Sequence, residues 1–193
     1  MDINYFKKKL KEVLSEKRYN HSIRVMETAQ ELAKLYNANI KEVTIAALLH
    51  DYAKEFPKKD LIDICKECCL EETNDYLQAG QILHSFAGAH FVNKHLGITD
   101  TDILNSIKYH TTGRENMELI EKIIYIADAI EPQRSYMHVD EIRKLAKENI
   151  DQAILFEVNK KIEYLISNNS IIHHNTIKLR NWLITKVLNN QGG

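Results

Sequence analysis

The sequence predicts an all-α fold, a single-domain helical bundle, and three observations lead there. Apolar residues recur with helical period along nearly the whole chain, and no stretch alternates long enough to make a strand. Only two prolines and six glycines occur in 193 residues, far from the turn-rich composition of β sandwiches and barrels. At about 100 to 200 residues per domain, the length suits one domain whose core needs no disulfide or structural metal.

Each element can be justified in turn. Ile3, Phe6, Leu10, Val13 and Leu14 form a first amphipathic stripe. A second helix from about Asn20 aligns His21, Val25, Ala29, Leu32 and Tyr36 on one face. Residues 40 to 53 make a third, with Val43, Ala46, Ala47, His50 and Ala53 inward. Its middle is apolar all round, which assigns it to the centre of the domain. Pro57 suits the start of the next helix, with Leu61, Ile62 and Cys65 inward. A longer helix spans Ile82 to Leu96 and stops at Gly97, a natural capping residue. Asp100 or Thr99 caps a helix that runs through His110 and is ended by Gly113. Residues 116 to 130 are helical until Pro132 stops them, and two or three more helices start near Val139, Ile150 and Asn175. No repeat or flexible linker divides the chain. Residues 1–193 therefore read as one domain, with a core of about 18–132 and C-terminal helices over about 139–190.

Charge narrows the function classes. The 26 Lys and Arg against 27 Asp and Glu give a formal net charge of -1, a poor match for a binder of nucleic acid or anionic lipid. No apolar run approaches the roughly 18 residues of a membrane span. The first 17 residues, with Lys7, Lys8, Lys9 and Lys11, lack a signal-peptide core. All three cysteines lie within Cys65 to Cys69, in odd number, which suits a reducing compartment, so the expected location is cytoplasmic. The Cys65-x-x-Cys68 pair has no second pair to complete a zinc site and reads as small apolar residues on a helix face.

Several histidines fall where a helix should present an apolar residue. His21 shares its stripe with Val25, Ala29 and Leu32; His50 is inward on the central helix and is followed at once by Asp51. His84 lies on the face of Gly88 and Phe91, and His110 follows Ile103 and Ile107. Asp128 interrupts the apolar run Ile123-Ile124-Tyr125-Ile126-Ala127. A buried unpaired carboxylate costs several kcal/mol or more, so it needs a cation or donors. Four inward histidines and two inward aspartates satisfy one another at once if they share divalent metal ions; imidazole and carboxylate ligands suit iron, manganese or zinc. His90, His95, His138 and His173 read as surface or packing residues.

The pattern of His21, the His50-Asp51 pair and Asp128 resembles the HD-domain superfamily of metal-dependent phosphohydrolases. Within it, five segments are similar to the YqeK-type symmetrical bis(5'-nucleosyl)-tetraphosphatases: Arg18-Tyr-Asn-His21, Leu48-Leu-His-Asp-Tyr-Ala-Lys54, Tyr109-His-Thr-Thr-Gly-Arg114, Ile126-Ala-Asp-Ala-Ile-Glu-Pro-Gln-Arg134 and Ile172-His-His-Asn-Thr176. The resemblance covers about Tyr5 to Trp182. It departs at Ser85, where that family often has Gly, and at His174, where Pro is usual.

The resemblance implies hydrolysis of diadenosine tetraphosphate, a small-molecule dinucleoside polyphosphate, to two ADP by a metal-activated hydroxide, with iron as the metal and one or two ions. His21, His50, Asp51 and Asp128 would hold the first ion, and Asp51, His84 and His110 a second. Asp51, His84, His110 and Lys54 would act in catalysis. Arg18, Lys54, His84, His110, Thr111, Arg134 and Thr176 would contact substrate, with Lys54 and Arg134 placed above Arg114. The alternatives are another HD-type hydrolase, acting on deoxynucleoside mono- or triphosphates, and a non-catalytic nucleotide-binding sensor. Two copies could pair through the apolar faces of the later helices as a homodimer, although no heptad specifies it.

Overall fold

The computed structural model describes residues 2–68 and 80–191, in ten α-helices and, among the described residues, no strand. The helices are α1 (Ile3–Val13), α2 (Glu16–Leu35), α3 (Ile40–Leu49), α4 (Lys58–Cys68) and, after a 3-10 turn at Gly80–Ile82, α5 (Leu83–Leu96). Then come α6 (Thr101–Tyr109), α7 (Leu119–Ile130), α8 (Val139–Glu148), α9 (Ile150–Ser167) and α10 (His174–Gln191). Cys69 and the side chain of Cys68 lie outside the described residues, whereas Cys65 is buried. No helix among the described residues is long and apolar enough to cross a membrane.

Helix α3 is the axis. Ala46, Ala47, Leu48 and Leu49 are fully buried, and α1, α2, α6 and α7 pack around them. Helix α7 forms the second inner wall, between α2, α3 and α6 on one side and α8 and α9 on the other. Helix α5 packs on α4 and α6, and α10 lies against α9.

The capping expectations hold where the side-chain chemistry is local. Asp100 accepts from the backbone N–H of Asp102 and Ile103, and Gly97 adopts φ 68° to close α5. Three boundaries differ from expectation, one being the start of α7, which falls at Leu119 rather than 116, with Asn116 at φ 53° and a capping box between Glu118 and Glu121. Helix α2 starts one turn before Asn20, because Ser15 caps it through the Arg18 N–H and is itself held by Glu55 at 2.7 Å. Helix α3 ends at Leu49 rather than at 53. There the ring of His50 donates to the Ala47 carbonyl at 2.6 Å, which would otherwise continue the helical ladder. The chain turns instead, through Tyr52 N–H to Leu49 and Lys54 N–H to Asp51.

After α6 the chain reverses through His110-Thr-Thr-Gly113. Gly113 has φ 64°, and a Cβ on it would overlap the Leu179 side chain of α10. This glycine serves both a left-handed turn and a close approach. Gly113→Ala is therefore expected to cost about 2 kcal/mol, from φ strain and the overlap together, and to lower Tm by about 4–8 °C. Thermal unfolding of the variant checks this; an unchanged Tm contradicts it.

Candidate metal centre

Four imidazoles converge on Asp51, and the outer nitrogen of three of them is tied back to its own helical turn. Nδ1 of His50 donates to Ala47 O at 2.6 Å, Nδ1 of His84 to Gln81 O at 2.9 Å and Nδ1 of His110 to Ile107 O at 2.8 Å. In each case the acceptor is the carbonyl three residues earlier. His21, on the second turn of α2, uses Nδ1 against the Glu131 carboxylate at 3.2 Å. Carbonyls and carboxylates only accept, so Nδ1 carries the proton and Nε2 presents its lone pair inward.

The inner nitrogens meet the carboxylates. Asp51, 2% exposed, divides its two oxygens between them. Oδ2 faces Nε2 of His50 at 3.4 Å and of His21 at 3.7 Å. Oδ1 faces Nε2 of His84 at 3.1 Å and of His110 at 3.6 Å. Asp128 Oδ1 lies 3.0 Å from His21 Nε2 and 4.0 Å from His50 Nε2. Three overlapping triads have donor atoms close enough to hold an ion: His21-His50-Asp51, His50-His110-Asp128 and Asp51-His84-His110. His90, His95, His138 and His173 belong to none of them.

Lone pair faces lone pair across these contacts, and the side chains alone do not resolve it. Nε2 of His21, Nε2 of His50 and Oδ1 of Asp51 are buried without a hydrogen-bond partner. Such orphaned acceptors, aimed at one another, need a shared cation. Protons supply part of the relief. Burial opposes charge on His50, but the adjacent Asp51 overrides it and raises the imidazole pKa. Burial also opposes ionisation of both aspartates; the charge of His50 and contacts with His110 and His84 nevertheless hold Asp51 well below the usual range. His21, His50 and Arg134 do the same for Asp128. For His84, burial pushes the pKa down to about 4, and it also lowers that of His110. Both stay neutral at pH 7, as metal ligation requires. The donor set and its orphaned atoms fit a divalent metal of the nitrogen- and oxygen-loving kind.

Cations stand at the rim. Arg18 Nη1 donates to Asp51 Oδ2 at 2.8 Å, Arg134 Nη2 to Asp128 Oδ1 at 2.5 Å, and Lys54 Nζ lies 3.2 Å from His84 Nε2. Burial lowers the Lys54 pKa. Thr111 faces Ser85, with their hydroxyls 2.9 Å apart. Thr176 is not brought to the cluster: its hydroxyl donates to the Thr112 carbonyl at 3.3 Å, and the residue is buried. Arg114 makes a bidentate pair with Glu121 at the start of α7.

Sequence reasoning missed Glu131 and Arg24. Glu131 is held by Arg24 Nε at 2.6 Å and by the Gln133 N–H at 2.8 Å, and it accepts from His21. Burial works against its charge, yet these donors bring its pKa down to about 2. The available signal was the spacing of His21 and Arg24, one helical turn apart on α2, combined with a glutamate locked in place by Pro132.

The chain is similar to known proteins. Residues 18–133 match the HD domain family. A Bacillus subtilis protein named bis(5'-nucleosyl)-tetraphosphatase, symmetrical, is 40% identical over 177 residues, covering 91% of this chain and 94% of that one. A Staphylococcus aureus protein of the same name is 40% identical over 186 residues, 94% of each chain. The crystal structure of a Clostridium acetobutylicum protein described as an HD superfamily hydrolase involved in NAD metabolism has a TM-score of 0.92. It is 43% identical and spans 96% of this chain and 98% of its own.

His50→Ala and Asp51→Ala are expected to lose bound metal while keeping the helical circular dichroism of the parent. Glu131→Ala, which leaves Nδ1 of His21 without its carboxylate, should weaken metal affinity by about 10–100-fold and retain the fold. Metal analysis after dialysis against graded chelator measures both. Parental metal content in His50→Ala and Asp51→Ala would rule out the centre.

Proposed function

Since the chain belongs to the HD domain family, and within it to the group of the symmetrical bis(5'-nucleosyl)-tetraphosphatases, we propose that it hydrolyses diadenosine tetraphosphate to two ADP. One observation carries the chemical side of this reading. Asp51 turns one oxygen to His21 and His50 and the other to His84 and His110. That division supports one ion held by His21, His50, Asp51 and Asp128, and a second held by Asp51, His84 and His110. All of these donors come from one chain. The resemblance of the motifs favours iron, and the same donors accept manganese or zinc. A divalent ion bound there supplies positive charge to the phosphate oxygens and an acidified water at neutral pH.

The chain's own cations do the remaining work. A guanidinium has five N–H donors. Arg134 spends Nε and Nη2 on Asp128, and Arg18 spends Nη1 on Asp51, so each keeps donors for a phosphate. Their ion pairs also fix the direction in which those donors point. Lys54, lowered in pKa by burial, stands beside His84 at a cleft also lined by Leu61, Gly80 and Gln81. There it can offset the charge that develops on the departing ADP. A small anionic substrate is consistent with the net charge of -1, because the cations are local to the site. The three clustered cysteines support a cytoplasmic setting.

The test is product analysis of the metal-loaded protein with diadenosine tetraphosphate in oxygen-18 water. Two ADP are expected, with label on only one of them, at its β-phosphate. ATP and AMP in equal amounts as first products would refute symmetrical cleavage. Arg134→Ala should lower kcat/KM by about 10–100-fold, roughly 1.4–2.7 kcal/mol, when measured at saturating metal, because it removes a phosphate-directed charge and no ligand. Loss of metal as complete as in His50→Ala would refute that role.

A further inference from the structure

The segment Thr111-Thr112-Gly113 follows His110 directly, and helices α5, α9 and α10 together fasten it. The Thr111 hydroxyl meets Ser85 of α5. The Thr112 carbonyl accepts from Thr176 of α10, and Gly113 lies against Leu179 of the same helix. The Thr111 carbonyl accepts from Lys161 Nζ of α9 at 3.3 Å.

Lys161 is held as tightly as what it holds. Its ammonium has three N–H donors. Besides Thr111 O, it reaches Tyr125 Oη at 2.8 Å and Glu157 Oε1 at 3.1 Å. The Tyr125 hydroxyl in turn donates to Glu157 Oε2 at 2.5 Å. Tyr125 and Glu157 are 2% and 7% exposed, and Tyr125 lies in the apolar wall of α7, one turn before Asp128. Replacing a buried ionic group by apolar side chains of similar volume is often neutral or stabilising, so stability is a weak reason for this one. What an apolar replacement could not do is grip a backbone carbonyl. With that carbonyl fixed, the planar peptide also fixes the opposed N–H of Thr112.

We propose that Lys161, on a platform of Glu157 and Tyr125, is a positioning residue that sets the Thr111-Thr112-Gly113 loop to receive the substrate's phosphates. The inference rests on the function proposed above and extends the site to α9, beyond the residues that match the HD domain.

The metal-loaded protein provides the test, through calorimetric ADP affinity, KM and kcat for diadenosine tetraphosphate, metal content and Tm. In Lys161→Met the ADP dissociation constant and KM should each rise about tenfold, with kcat within about twofold and metal unchanged. Lys161→Arg, which keeps the donors, should restore most of the affinity. If Lys161→Met does not fold, Tyr125→Phe and Glu157→Leu combined with Lys161→Met remove both charges and the hydroxyl between them. This triple variant should be about as stable as the parent and still bind ADP weakly, a combination that a purely structural role cannot give. Parental affinity in a folded variant, or metal lost in step with affinity, would overturn the proposal. A parent protein that neither binds ADP nor cleaves the substrate would overturn the functional reading itself.

Discussion

The contact of acceptor against acceptor around Asp51 is the constraint on which the rest of the structure depends. Four imidazole lone pairs and the Asp51 carboxylate are buried together, with the half-buried Asp128 beside them, an arrangement without stability in an apolar core. The fold keeps it by compensation from outside. Arg18 and Arg134 each contact a carboxylate oxygen, and Glu131 with Arg24 braces the back of His21. Those pairs neutralise the aspartates without entering the space between the imidazoles. The centre keeps its form but remains short of positive charge, which is the condition for binding a cation tightly.

The means of aiming the imidazoles are mostly local. His50, His84 and His110 each return their outer nitrogen to the carbonyl three residues earlier, so ring orientation is encoded within a single helical turn. Their directions then depend on how α3, α5 and α6 pack, and the inward apolar residues Val43, Ala46, Leu49, Ile103 and Ile107 are buried. His21 is the exception. Its partner is 110 residues away, so its orientation depends on α2 packing against α7 and on the turn at Pro132. Of the four imidazoles, it alone has a charged acceptor behind it, which makes its inner nitrogen the most electron-rich.

This division explains what could be read from the sequence. His21, His50, His84, His110 and Asp128 were legible because a polar residue in an apolar helical stripe violates the pattern visibly. The helices were legible for the same reason, through stripe periodicity and through caps such as Asp100 and Gly97. Glu131, Arg24, Glu157 and Lys161 were not. Each looks like an ordinary solvated charge among 53 charged residues, and each acquires its role from a partner brought near only by the fold. The early end of α3 was hidden for a related cause: a helical pattern continues to Ala53, but the His50 side chain takes the carbonyl that the backbone would have used. Sequence periodicity reports which face is inward and is silent about side chains that compete with the backbone.

Helix polarity gives the arrangement a further consequence. His50 is the C-terminal capping residue of α3, His110 that of α6, and Asp128 lies in the last turn of α7. Three helix C-termini, each equivalent to about half a negative charge, are thus directed at one point. Such a point repels a polyphosphate and attracts a metal ion, so an anionic substrate can dock only after a cation has reversed the local sign. The rim of Arg18, Lys54 and Arg134 surrounds this negative centre and does not replace it. A chain with no excess of basic residues can therefore present several cations at one place.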